Sequence, residues 1–91
     1  MSRSYAVVWD VAGDEAAGRL DVAADCFELH GAGRDVVVPF ADVSGAAIAR
    51  SGPERLRGMP ALVMRVRARG LLRIASLDAP GVLHELVALV G

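Results

Sequence analysis

Apolar residues recur at every second position through most of this 91-residue chain, and that rhythm limits what it can fold into. A β-strand sends successive side chains to opposite faces, so a two-residue period puts one face on a core and the other in water. Tyr5, Val7, Trp9 and Val11 share a face, with Asp10 on the other. Leu20 and Val22 alternate with Arg19 and Asp21, and Phe27 and Leu29 with Cys26, Glu28 and His30. Leu62, Met64 and Val66 face inward with Leu72 and Ile74, which turns Arg65, Arg67 and Arg73 outward.

Turn-forming residues punctuate these segments. "AGDEAAG" (residues 12–18) reads as an acidic loop, Ala24-Asp25 as a turn, and "HGAGRD" as another. Pro39 marks "VVVPF" as an edge or bulged strand. "DVSGAAIAR" continues as a strand bent at Gly45, and "SGPERLRGMP" is the longest loop. A last hairpin turns around Arg69-Gly70. Near residue 78 the period changes. Leu83, Leu86, Val87 and Val90 fall at i, i+3, i+4 and i+7, one face of a helix. Asp78 suits its N-terminal cap and Pro80 its first turn. The expected fold is mostly β: seven short antiparallel strands rolled into a barrel-like sheet, capped at its open end by one C-terminal helix. No repeat, low-complexity tract or linker divides the chain, so a single domain over 1–91 is expected.

The chain is 54% hydrophobic with a mean hydropathy of +0.41. A chain this short forms one modest core. The apolar surplus therefore points to a covered surface, and a homodimer is expected. No apolar run approaches the ~20 residues of a membrane span. The opening "MSRSY" lacks the charged-then-apolar pattern of a secretion signal, so a cytoplasmic location is expected. A net charge of −1 argues against nucleic-acid binding. All four aromatics, Tyr5, Trp9, Phe27 and Phe40, fit core positions, which leaves none among the arginines to stack on bases.

Little here is built for catalysis. Cys26 is the only cysteine, suited to filling space. His30 on a turn and His84 on the outer helix face read as solvated polar residues. Glu85 adjoins His84, but adjacent helical side chains diverge by about 100°. Ser44 and Ser76 carry no nucleophile motif, and Asp10, Asp14 and Glu15 lack calcium-loop spacing. No catalytic residue, metal or cofactor is expected, and the chain reads as a non-enzyme.

The arginines remain. Residues 1–49 hold three arginines and eight acids, and residues 50–91 hold seven arginines and three acids. Arg65, Arg67 and Arg73 on the outer face of the last hairpin, with Arg69 at its tip, are the candidate ligand-binding residues. Arg50, Arg55 and Arg57 lie in or beside the preceding loop. Together they could form a basic ridge that recruits an acidic partner or an anionic surface. Alternatively, they keep an outward face soluble and guard it against edge aggregation. A third option pairs the acidic first half of one copy with the basic second half of another.

"GRLDVAADCFELHG", "VVVPFADVSGAAIAR" and "LLRIASLDAPGVLHELVALV" resemble the early hairpin, the next strand pair, and the last strand with its helix in pleckstrin-homology-like domains of the bacterial type. The resemblance implies a seven-stranded roll closed by a helix. It also implies a scaffold whose members bind phosphoinositides, phosphopeptides, proline-rich segments or proteins. In the lipid-binding members the first inter-strand loop is basic; here it carries Asp14 and Glu15 and no cation, which repels anions. The expected function is therefore a non-enzymatic binding module acting through protein–protein contacts, self-association included. The alternative is peripheral binding to an anionic membrane or other anionic ligand through the arginine face. A small enzyme is the remaining alternative, and it would need a deep polar pocket with His30 beside a carboxylate.

Overall fold

The alternating apolar positions form the concave side of one curled sheet. In the computed structural model, residues 3–50, 52, 55–77 and 81–90 are described. The strands are β1 (Arg3–Val11), β2 (Asp14–Val22), β3 (Cys26–Gly31), β4 (Arg34–Pro39), β5 (Val43–Ala49), β6 (Ala61–Val66) and β7 (Gly70–Ser76). A 3-10 turn, Phe40–Asp42, links β4 to β5, and helix α1 spans Gly81–Val90. All pairings are antiparallel, in the order β4-β3-β2-β1-β7-β6-β5. β1 pairs along its whole length with β2 and from Val7 to Val11 with β7, so it joins the two halves of a half-barrel. Pro39 closes an edge strand, as its missing N–H suggests, and Gly45 sits at a register shift in β5. The expected cap at Asp78 and first-turn Pro80 lie outside the described residues.

Val7, Trp9, Leu20, Phe27, Leu29, Val38, Leu62, Met64, Leu72 and Ile74 are buried on the concave face. Val82, Leu83 and Leu86 of α1 join them, so the helical stripe closes the roll as its spacing requires. Each such aliphatic side chain contributes about 1.5–3 kcal/mol by leaving water. Glu85, on the helix's outer side, is more than solvated. Its carboxylate accepts from Tyr5 Oη at 3.0 Å and Arg3 Nη1 at 3.1 Å, which ties the helix to β1.

The stretch "AGDEAAG" is not a loop. Ala12 and Gly13 make a two-residue turn with φ of 53° and 93°, and β2 begins at Asp14. The strand is hard to see in sequence because its inward positions are small: Ala16 pairs across from Trp9, and Gly18 pairs with Val7 on one side and Gly31 on the other. Their size is a packing requirement. A Cβ on Gly18 would stand 1.8 Å from the His30 carbonyl oxygen, to which the Trp9 indole N–H donates at 3.3 Å.

The outer face is not uniformly solvated either. Leu56 and Met59 form an isolated bridge, and Leu56 packs with Val8, Ala61 and Ala75 into a second small core on the convex side. An ion pair between Arg57 and Glu15, at 3.2 Å, ties this strap to β2. Among the described residues no helix is long and apolar enough to cross a membrane.

Candidate functional site

The β6–β7 hairpin divides the four candidate arginines. β6 ends at Val66, so only Arg65 projects from it. Arg67 and Arg69 belong to the connecting turn and not to a strand, where alternation alone places Arg67. The turn is held by the Arg69 N–H to the Val66 carbonyl at 3.1 Å and by the Arg67 N–H to the Asp42 carbonyl at 2.9 Å. Ala68 takes a φ of 66°, a compact left-handed bend that leaves all three turn side chains exposed.

Arg65, Arg67 and Arg69 have no side-chain partner among the described residues. Arg3, Arg19, Arg34, Arg57 and Arg73 each lie 2.9–3.7 Å from a carboxylate. Beside Arg65 runs an open groove of about 250 Å³ on the β5–β6–β7 face, lined by Gly45, Ala47, Val63 and Leu71. Its depth has a simple cause. The outward positions of β5 are Gly45, Ala47 and Ala49, which barely rise above the backbone, while Leu71 stands 51% exposed.

Arg73 has a different environment. It lies on the same face as Arg65 but donates from Nη2 to Asp10 Oδ2 at 2.9 Å. Asp10 is 5% exposed and also accepts the Gly13 N–H at 3.1 Å. The outward side of β1 thus holds a nearly buried ion pair. Arg73 is half-buried and occupied, so it is set apart from the other three.

The opposite half of the convex face is acidic. His30 projects from β3 between β2 and β4. Its Nδ1 lies 2.6 Å from Asp35 Oδ1, and its Nε2 lies 3.2 Å from Asp21 and 3.6 Å from Glu28. The Asp35 hydrogen bond raises the imidazole above its ordinary 6.5, against a lowering by desolvation. The Ser4 hydroxyl, followed by Arg19 and His30, holds Asp21 below the usual carboxylate range. Burial, with Asp25 and Glu28 nearby, pushes the Cys26 thiol up, which disfavours the thiolate and suits a space-filling role. His30 therefore has its carboxylates, but on an open sheet face. Among the described residues no three His, Cys, Asp or Glu side chains are placed to hold one metal ion.

The architecture has a solved counterpart. It matches the crystal structure of the C-terminal domain of an unknown protein from Leishmania infantum, with a TM-score of 0.72 at 11% sequence identity. The match covers 97% of this chain and 81% of that one. At that identity the likeness is one of fold. No protein-family model matches the chain, and no curated protein matches its sequence.

Sequence reasoning found the arginine hairpin but missed three features: the Asp10–Arg73 pair, the strap over Val8 and Ala75, and the groove. The pair joins residues 63 positions apart, and no local pattern reports that. The groove did have a signal. Small residues at 45, 47 and 49 on alternate positions of an edge strand leave one face bare.

Proposed function

We propose that the chain is a pleckstrin-homology-like module of the bacterial type that acts by binding protein, a second copy of itself included, and performs no catalysis. Support for the fold family comes from seven antiparallel strands and a closing helix in the order the resemblance implies. The observation that carries the function is the apolar groove beside Arg65, Arg67 and Arg69, whose guanidinium groups lack carboxylate partners among the described residues. An exposed apolar depression rimmed by unanswered charge is the composition of a recognition surface. The module works in the cytoplasm, as a homodimer or with a dedicated partner. Light scattering behind a sizing column at about 50 μM, well above a micromolar dissociation constant, tests self-association. A mass above 9.5 kDa is expected, and a monomer removes that part of the proposal.

The same three arginines favour one second reading, peripheral contact with an anionic membrane. Co-sedimentation with anionic vesicles at low salt tests it. Binding abolished by exchanging Arg65, Arg67 and Arg69 for glutamine supports it, and no binding rejects it.

A further inference from the structure

The groove has a matching projection on the far edge of the same sheet. Val37 stands 47% exposed on the outer side of edge strand β4. It lies directly across from Glu28 of β3, with Asp35 two positions before it on the same face. An apolar knob is thus flanked by two carboxylates. Neighbouring Asp21 is answered by Arg19 at 3.0 Å, and His30 engages Asp35, so Glu28 is the least neutralised of the group. At the other edge, β5 presents Gly45 and Ala47 as a hollow between Val63, Leu71 and Arg65, with Arg67 following. Each of these two strands is paired on one side only among the described residues.

We infer that the partner of the groove is a second copy of this chain. Val37 seats in the Gly45–Ala47 hollow, while Glu28 and Asp35 meet Arg65 and Arg67. This rests on the self-association proposed above and assigns its surfaces. Shape and charge both match: an aliphatic knob with acids on one edge, a small-residue hollow with arginines on the other. The apolar fit supplies affinity, and the charges set register and exclude the reversed pairing. The two patches differ, so the contact is heterologous. Made reciprocally it closes a dimer; made once per copy it continues into a ring or chain.

Charge reversal with rescue on mixing tests this. One variant carries Arg65→Glu with Arg67→Glu, the other Glu28→Lys with Asp35→Lys. Each is expected to run alone as a monomer at about 50 μM, with far-ultraviolet circular dichroism unchanged from wild type. Mixed in equal amounts, they are expected to recover the wild-type mass, because every contact between unlike copies is then complementary. Val37→Ser, an exposed change that leaves the charges alone, is expected to weaken association about tenfold. If wild type associates but the reversed variants also do, or the mixture stays monomeric, the surface assignment falls while self-association stands. A monomeric wild type removes both.

Discussion

Replacing Arg73 by methionine tests whether the convex face is partly a second interior. Methionine keeps an apolar stem of similar length and removes the guanidinium. Asp10 would then keep the Gly13 N–H, at 3.1 Å, while remaining 5% exposed. Removing one member of a fully buried ion pair costs about 3–5 kcal/mol, and an unsatisfied buried polar group about 1–3 kcal/mol. The Arg73 side chain is 25% exposed, so water reaches part of the vacated space. A loss of about 2–3 kcal/mol follows. Against a total of roughly 5–14 kcal/mol for a domain of this length, that is a large fraction. It corresponds to a drop in Tm of about 10–20 °C.

Urea unfolding followed by the fluorescence of Trp9 reads this directly, because Trp9 is the chain's one tryptophan and is fully buried. Arg65→Met is the control: Arg65 is exposed, so a change within about 0.5 kcal/mol is expected. Combining Arg73→Met with Asp10→Asn removes the stranded charge and should recover part of the loss, the mark of coupled neighbours. A cost for Arg73→Met no larger than for Arg65→Met would refute the reasoning. Arg73 would then be one more solvated arginine on a sheet.

Three further outcomes are expected. His30→Gln removes a side chain whose ionisation is raised in the fold. The raised group stabilises fully below its ordinary 6.5 and stops doing so as pH rises through the folded value, so the variant's deficit in urea unfolding should be present in mild acid and vanish in mild alkali. Gly18→Ala forces a methyl against the His30 carbonyl and should cost at least about 1–3 kcal/mol in thermal unfolding. Leu86→Ala, at a helix position 1% exposed, should cost about 2–5 kcal/mol, and a surface-sized loss would mean the helix does not close the roll.

The fold was largely readable because most of its inward positions carry large apolar side chains. Leu20, Phe27, Leu29, Leu62, Met64, Leu72 and Ile74 announce their face by alternation alone, and the helix announces itself through Leu83 and Leu86. The reading failed where size replaced hydrophobicity as the constraint. Ala16 and Gly18 belong to a strand because a bulkier side chain at Gly18 would not fit, and neither residue advertises a strand. Periodicity also assigns outward positions to water by default. Val8 and Ala75 are outward yet buried, because a segment distant in sequence folds over them, and Asp10 is outward yet buried in a pair with Arg73. The candidate site was half legible for the same reason. Alternation located the arginines, but only tertiary pairing separates Arg73, held by Asp10, from Arg65, Arg67 and Arg69.

The convex face thus divides into three zones, and the division bears on association. Acids and Val37 occupy β2–β4, the strap with Leu56 covers β1 and β7 near the middle, and the hollow with its arginines occupies β5–β7. Within the strap Leu56 is 2% exposed and Arg57 is committed to Glu15. The association inferred above uses the two flanks, which differ in sign. Like-flank pairing would bring Glu28 against Glu28 or Arg65 against Arg65 and is opposed electrostatically. Unlike-flank pairing would set Glu28 against Arg65 instead. For a sheet whose edge strands are each paired on one side only among the described residues, such complementarity would act as a safeguard, because an edge that admits only its complement resists the indiscriminate strand addition to which a bare edge is prone.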